Sequence, residues 1–122
     1  MLLVDTSVWI DHLNHGDRQL VEALQDRRVL GHPFVIGEIA LGHLRQRKML
    51  LEHLRNLPGA AVASDEEVYT LIDRRQLFGR GIGYVDAHLL AATMLTSGTK
   101  LWTRDKRLLS AAGELELLAG IE

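Results

Sequence analysis

Four carboxylate side chains, spread from one end of the chain almost to the other, have the residue types that bind metal ions; they are Asp5, Glu38, Asp86 and Asp105. We refer to them as the acidic quartet. Like charges that meet in one pocket raise one another's pKa, so such a group requires a compensating cation. Oxygen ligands without sulfur favour Mg²⁺, for which Mn²⁺ can substitute, over zinc or copper. If the fold gathers the quartet, the sequence therefore predicts a divalent metal centre.

The predicted secondary structure places the quartet at one edge of a sheet. Asp5 directly follows a short apolar strand, and Asp105 follows another. Asp86 lies in the first turn of a later helix, and Glu38 lies one to two turns into the helix that leaves the second strand. In a parallel α/β sheet, ligands bind beyond the carboxyl ends of the strands. We therefore expect the four carboxylates to converge there.

Short apolar runs alternate along the chain with segments that have the apolar spacing of helices. The runs predicted as strands are residues 1–4, 29–32, 60–63 and 101–103, with 115–118 as a candidate fifth strand. Because helices separate the strands, the connections are crossovers, which require a parallel sheet with helices on both faces. The predicted fold class is α/β: a three-layer αβα arrangement with a parallel four- or five-stranded sheet, in a single domain of residues 1–122.

The composition excludes several classes of protein. With 122 residues, 47% of them hydrophobic and 25% charged, the chain is neither disordered nor fibrous. No run reaches the roughly 18 apolar residues of a membrane span, and there is no cysteine for a disulfide, a thiolate zinc site or a cysteine nucleophile. We expect a cytoplasmic protein without a membrane partner. The net charge of −2 excludes a globally basic nucleic-acid binder, although the surface outside the quartet would be weakly basic.

Four short motifs surround the quartet. They are Leu-Val-Asp-Thr-Ser at residues 3–7, Glu38 with Gly42, Tyr-Val-Asp-Ala at 84–87, and Leu-Trp-Thr-Arg-Asp at 101–105. In their order and separation they resemble the PIN-domain ribonucleases of the VapC toxin type, and the resemblance covers essentially the whole chain. It implies a PIN-like fold and an endoribonuclease that is the toxin of a VapBC-type toxin–antitoxin module.

The resemblance also implies roles for individual residues. The acidic quartet would be catalytic, Thr103 would be a supporting hydroxyl, and the metal would bind Asp5, Asp86 and Asp105, the first two most directly. Water rather than the ribose 2′-hydroxyl would attack the phosphodiester, which would leave 5′-phosphate and 3′-hydroxyl ends. The implied partners are RNA, a small VapB-like antitoxin that can place a basic side chain in the pocket, and a second copy of the chain in an isologous homodimer.

Each acid also has an ordinary structural explanation to consider. Asp5 and Asp105 are suitable helix N-caps, and an acid at the position of Asp86 interacts favourably with the helix dipole. Glu38 is harder to explain in this way, because its apolar neighbours predict that its carboxylate is partly buried, which is costly for a lone charge.

The hydroxyl residues near the acids have similar explanations. Thr103 can be a β-branched strand residue. Thr6 and Ser7 are better explained as helix caps than as catalytic residues.

Basic residues beside the acids are candidates for binding RNA phosphates. Three of them flank Asp105, namely Arg104, Lys106 and Arg107. Another, Arg80, precedes the helix that carries Asp86. We predict Arg80 and Arg104 as the substrate-binding residues, although charged helix faces are usually just solvated.

The sequence is also compatible with two other functions. A receiver-like signalling domain, phosphorylated on Asp65 after the third strand, has a similar length and a parallel sheet, but no second acid adjoins Asp5 and no Lys-Pro pair follows the last strand. A PIN fold retained as a catalytically silent binding subunit is also open, although the intact quartet counts against it.

The segment of residues 34–57 has more apolar helix surface than one small core can bury. Contiguous apolar surface of this kind is typical of protein interfaces. The sequence therefore predicts that another protein binds there.

Overall fold

The computed structural model of the protein describes residues 1–121. These residues form three strands, which are β1 (Leu2–Val4), β2 (Val29–Leu30) and β3 (Lys100–Trp102). They also form seven helices, which are α1 (Thr6–His15), α2 (Arg18–Gln25), α3 (Pro33–Ala40), α4 (Arg47–Arg55), α5 (Asp65–Arg74), α6 (Tyr84–Leu95) and α7 (Lys106–Glu114). None of these helices combines the length and the apolarity that crossing a lipid bilayer requires.

The strands form a parallel sheet in the order β2-β1-β3, with β1 in the centre. Leu3 pairs with Leu30 on one side and with Leu101 on the other. Parallel strands cannot be joined by a tight turn, so α1 and α2 fill the connection from β1 to β2. The prediction of a parallel α/β fold is confirmed.

The strand predicted at residues 60–63 is wrong. Within the described part of the chain, this region joins the sheet through a single bridge between Gly59 and Gly31. The backbone N–H of Ala61 then donates to the side-chain Oγ1 of Thr96 at 2.9 Å, instead of to the carbonyl of a neighbouring strand. The side chain of Thr96, the C-cap of α6, thus takes the place of a strand carbonyl after one step of the ladder.

The candidate strand at residues 115–118 is also wrong. It is reduced to one bridge between Leu118 and Leu101. The preceding helix α7 continues to Glu114, and Glu116 has a φ of 59°, a left-handed conformation that interrupts an extended chain. The sheet therefore has three strands rather than four or five.

Strand β1 and helix α6 form the centre of the hydrophobic core. All three residues of β1 are buried, and so is every residue of α6 from 87 to 93. A helix that is apolar around its whole circumference is typical of a core position, and α6 packs against β3. The burial of α6 fixes its first turn, which carries Asp86, in relation to the sheet.

Candidate active site

The pairing of β1 with β3 brings the first and the last acid to the same edge of the sheet. Val4 is in register with Trp102, and the backbone N–H of Asp5 donates to the Trp102 carbonyl at 2.9 Å. Asp5 is the N-cap of α1. Asp105 is the N-cap of α7, where its Oδ1 accepts hydrogen bonds from two backbone N–H groups. Two neighbouring parallel strands are thus each followed by a helix that an aspartate of the quartet caps.

Hydroxyl groups fix the orientation of the Asp5 carboxylate, which is buried. Its Oδ2 accepts hydrogen bonds from Thr103 Oγ1 at 2.8 Å and from Ser7 Oγ at 2.6 Å. Thr103 Oγ1 accepts from the backbone N–H of Asp105 at 3.1 Å. Ser7 Oγ accepts from the backbone N–H of Arg104 at 3.0 Å. These bonds join the end of β3 to the start of α1. They fix the position of Asp5 in relation to that of Asp105.

Glu38 extends from α3 towards the start of α1. Thr6, the first residue of α1, donates from Oγ1 to Glu38 Oε1 at 2.7 Å. The expectation that Glu38 is partly buried is wrong, because Val35 and Ile39 form the buried face of α3 and Glu38 is exposed. Its carboxylate is therefore accessible to solvent.

Asp86 is partly buried in the first turn of α6. Its Oδ2 accepts a hydrogen bond from the backbone N–H of Gly83 at 3.0 Å. Burial raises the pKa of Asp86 above its ordinary value; the Gly83 bond opposes this shift, and the charges of the other three quartet members add to it. The contributions of the other three charges place the four carboxylates within electrostatic reach of one another, although burial is the largest cause of the shift.

Each carboxylate of the quartet is oriented through one of its two oxygens. The oriented atoms are Oδ2 of Asp5, Oε1 of Glu38, Oδ2 of Asp86 and Oδ1 of Asp105. Among the residues that the structure describes, none donates a hydrogen bond to the second oxygen of any of the four. The second oxygens are therefore available to a cation or to water.

The chemistry of these donors fits a hard divalent cation, because all of them are oxygens. Within residues 1–121, no three histidine or acidic side chains are grouped closely enough to form a ready set of metal ligands. Mg²⁺ does not need such a cage, since it is usually bound by one or two carboxylates and keeps several waters. The arrangement thus fits an ion that is held by part of the quartet, with water and substrate oxygens as its other ligands.

The two arginines predicted to bind phosphate form ion pairs inside the protein. Arg80 binds Glu114 through two contacts, at 2.6 and 3.1 Å. Arg104 is partly buried and pairs with Asp11, at 3.0 Å, and with Asp17. Binding of RNA by these two residues stays a prediction, and a phosphate would have to compete with the carboxylates that they already bind.

The hydroxyls of Thr6 and Ser7 contribute to the site, although the sequence predicted them only as helix caps. The side chain that caps α1 is that of Asp5, whereas Ser7 donates to Asp5 and Thr6 donates to Glu38. The sequence signal for this role was the position of two hydroxyl residues directly after the first acid. Such residues can reach back to the acid or across to a neighbouring helix.

The aspartate of the receiver-like alternative lies outside the quartet. Asp65 begins α5, and its Oδ1 accepts a hydrogen bond from the Tyr84 hydroxyl at 2.6 Å and lies 3.3 Å from Nε2 of the buried His88. These two contacts lower the pKa of Asp65. Asp65 is not among the charges that raise the pKa of Asp86. Its contacts connect the starts of α5 and α6, which is a structural role.

We predict that Asp86→Asn stabilises the metal-free protein at neutral pH. Because folding raises the pKa of Asp86, its ionised carboxylate destabilises the fold at neutral pH, and this cost is lost as the pH falls through the raised value towards the ordinary one. In EDTA, the melting temperature of the variant should exceed that of the native protein at neutral pH, and the difference should shrink on acidification. The matched control is Asp73→Asn, which replaces an exposed carboxylate of α5 and should give no such gain. Equal melting temperatures for Asp86→Asn and the native protein at neutral pH would contradict the prediction.

Comparison with known proteins agrees with this geometry. The model of the PIN domain family matches residues 2–114. Two curated relatives, from Mycobacterium tuberculosis strains CDC 1551 / Oshkosh and ATCC 25618 / H37Rv, are each named Ribonuclease VapC32. Each is 52% identical over 114 residues, which is 93% of this chain and 92% of the relative. With the quartet at the carboxyl edge of its parallel sheet and this degree of identity, the chain belongs to the PIN-domain family, within its VapC type.

Proposed function

We propose that the protein is a divalent-metal-dependent endoribonuclease and the toxin of a VapBC-type toxin–antitoxin module. The observation that carries the proposal is the set of hydrogen bonds that gathers Asp5, Glu38 and Asp105 at the start of α1 and the end of β3. Burial, together with the charges of these three carboxylates, raises the pKa of the fourth acid, Asp86. Acids gathered beyond the strands of a parallel sheet suit metal-assisted cleavage of a phosphodiester. The relatives that are 52% identical to the chain over 114 residues are named ribonucleases, and PIN-domain ribonucleases in general depend on a divalent metal.

We propose that Asp5, Asp86 and Asp105 hold the ion, some of them through its water ligands. Each has one carboxylate oxygen to which no described residue donates a hydrogen bond. We propose Mg²⁺ as the ion, with Mn²⁺ able to replace it, because the donors are oxygens. When bound, such an ion lowers the pKa of a water molecule and offsets the charge that develops on the phosphate and the leaving oxygen.

The other residues of the site position these groups. Thr103 and Ser7 hold Asp5 through one oxygen and keep the other in a fixed place. We assign to Glu38 the acceptance of a proton from the attacking water, which its exposure and its hydrogen bond from Thr6 support. With water as the attacking group, the products have 5′-phosphate and 3′-hydroxyl ends.

Arg80 and Arg104 are retained as proposed contacts for the RNA backbone. The position of Arg104 supports this, because its backbone N–H donates to Ser7, which in turn donates to Asp5. Both guanidinium groups are already paired with carboxylates. Each would bind RNA by exchanging a carboxylate for a phosphate.

We propose that the antitoxin binds the apolar surface of residues 34–57. Leu41 is 89% exposed there, and Met49 is 54% exposed. A groove of about 410 Å³ opens beside them, and its apolar lining residues are Leu13, Leu44 and Leu50. An amphipathic helix of a small partner can fill a groove of this kind with its apolar face.

The homodimer is proposed to form through α5. Glu66 and Glu67 lie in the first turn of this helix, and Arg74 and Arg75 lie at its other end. The groove between α5 and α6 has a volume of about 430 Å³ and is partly lined by apolar residues, including the exposed Met94. Two copies of α5 related by a two-fold axis run antiparallel, so the acidic end of each meets the basic end of the other.

We also propose that the chain forms a single domain and that the protein is located in the cytoplasm. Buried side chains from β1 to Ala119 belong to one hydrophobic core, which supports a single PIN-like domain of residues 1–122. A ribonuclease of this type acts on cellular RNA, so we propose the cytoplasm as its location.

Cleavage of single-stranded RNA is the direct test of the function. Purified protein with MgCl₂ should cut the RNA internally and leave 5′-phosphate and 3′-hydroxyl ends, and EDTA should abolish the activity. Asp86→Asn should lower the rate by about 100-fold or more, because it removes one charge from the centre of the site. The rates are measured by gel electrophoresis of end-labelled RNA, and the ends are mapped on the products.

Asp73→Asn is the matched control and should cut at the native rate, and thermal melts should show that both variants are folded. Activity that is unchanged by EDTA would rule out the metal mechanism. Native protein that binds the RNA without cutting it would support the silent binding subunit instead.

We predict that Leu41→Asp weakens binding of the cognate antitoxin by about tenfold or more, because a charge enters the centre of an apolar contact. Isothermal titration calorimetry measures the affinity, and ribonuclease activity without the antitoxin should stay native. Leu109→Asp is the matched control, since Leu109 is 40% exposed on α7, outside this surface. Native affinity in Leu41→Asp would show that the antitoxin binds elsewhere.

We also predict that Arg74→Glu weakens the homodimer by about tenfold or more, because two acidic ends then face each other across the interface. The double variant Glu66→Arg/Arg74→Glu should restore dimerisation, since it exchanges the charges without changing their sum. Sedimentation velocity over a range of concentrations measures both. If the single variant dimerises like the native protein, α5 is not the interface.

A further inference from the structure

Arg107 lies between the two structural elements that present Asp105 and Asp86. It belongs to the first turn of α7, where its backbone N–H donates to Asp105 Oδ1 at 3.0 Å. Its side chain extends to Gly81, which lies in the loop that ends at Gly83. The backbone N–H of Gly83 is the group that orients Asp86. The guanidinium of Arg107 is therefore held at the edge of the acidic site by two separate parts of the chain.

The backbone at Gly81 is shaped to accommodate this side chain. Gly81 has a φ of +77°, which side chains other than glycine rarely adopt. A Cβ atom added there would lie 2.8 Å from Cδ and 2.9 Å from Cζ of Arg107, closer than real carbon atoms approach. Glycine at position 81 thus leaves room for the Arg107 side chain to pack against the backbone there.

The guanidinium group of Arg107 has few partners within the protein. Its hydrogen bond from Nη1 to the Gly81 carbonyl is long, at 3.5 Å. Within residues 1–121 it forms no ion pair with a carboxylate, whereas Arg80 and Arg104 both do. Since a guanidinium has five N–H donors, most of those of Arg107 are available to a ligand.

We infer that Arg107 binds a backbone phosphate of the RNA strand next to the bond that is cut. This inference rests on the ribonuclease function proposed above. A phosphate that approaches four carboxylates needs positive charge beside it as well as the metal ion, and a guanidinium can bind a phosphate through two parallel hydrogen bonds. Arg107, two residues after Asp105 and packed on Gly81, provides that charge beside the site.

A purely structural role for Arg107 makes a different prediction. Such a role depends on the packing of the side chain on Gly81 and on the single hydrogen bond, and neither requires the positive charge. Arg107→Gln keeps a polar side chain with an N–H donor but removes the charge. Arg107→Lys keeps the charge but cannot bind a phosphate through two parallel hydrogen bonds.

The test measures the binding of a fluorescein-labelled single-stranded oligoribonucleotide by fluorescence anisotropy, in MgCl₂ and over a series of KCl concentrations. The protein carries Asp86→Asn, which slows cleavage. Adding Arg107→Gln should weaken binding about tenfold and reduce the slope of log K against log salt by about 0.7, the value for one phosphate contact with a single strand. Arg107→Lys should keep the slope and recover only part of the affinity. Arg55→Gln, at the exposed end of α4, is the matched control and should change neither quantity.

An unchanged slope in Arg107→Gln overturns the inference, even if the affinity and the melting temperature fall, because a structural role would produce that pattern. Absence of RNA binding by the Asp86→Asn protein at every salt concentration also overturns it. If the native protein does not cut this RNA but the slope still changes in Arg107→Gln, the ribonuclease function fails while the phosphate contact stands. The two failures are therefore distinguishable.

Discussion

Mutual repulsion among the carboxylates of the acidic quartet is the constraint on which the rest of the site depends. Its effect is visible at Asp86, whose pKa is raised by burial and by the other three charges. The chain holds each carboxylate in place through one oxygen, with donors that are side-chain hydroxyls at α1 and β3 and backbone N–H groups at the starts of α6 and α7. Because one oxygen of each acid is used for orientation, the other is left for ligands, as a cation site requires.

The hydrophobic core determines that these oriented acids share one site. Leu3 and Leu101 are fully buried and pair across β1 and β3. The backbone N–H of Lys100 donates to the Met1 carbonyl at 3.1 Å, and that of Asp5 donates to the Trp102 carbonyl at 2.9 Å, so the register is held at both ends of the pairing. The same register places Asp5 beside the end of β3. Strand pairing within the apolar core thus brings the charged residues together, and Asp5 and Asp105 add to the fold as the N-caps of α1 and α7.

Much of this arrangement could be predicted from the sequence, and the failures have local physical causes. The alternation of strands and helices and the placement of acids after strands depend on periodicity, which the sequence shows directly. Whether residues 60–63 continue the sheet depends on a competing acceptor, the Thr96 hydroxyl, which comes from another element. The exposure of Glu38 depends on which side of α3 meets the core, and a helix that is apolar on nearly all sides does not reveal that. The predicted roles of the quartet itself stay predictions, since the structure shows their proximity and orientation but no reaction.

The arginines show most clearly what spacing along a sequence cannot reveal. Arg104 is adjacent to the last acid, yet its guanidinium lies over the Trp102 ring at 5.6 Å and binds Asp11 and Asp17. It thereby fastens α1 and the start of α2 to the end of β3, which stabilises the edge of the sheet where the acids lie. Arg107 lies two residues after the same acid, and its charge is not neutralised by a carboxylate of the described residues. Ion pairing, which only the tertiary structure defines, therefore separates Arg104, which must exchange a carboxylate to bind a phosphate, from Arg107, which pairs with no carboxylate of the described residues.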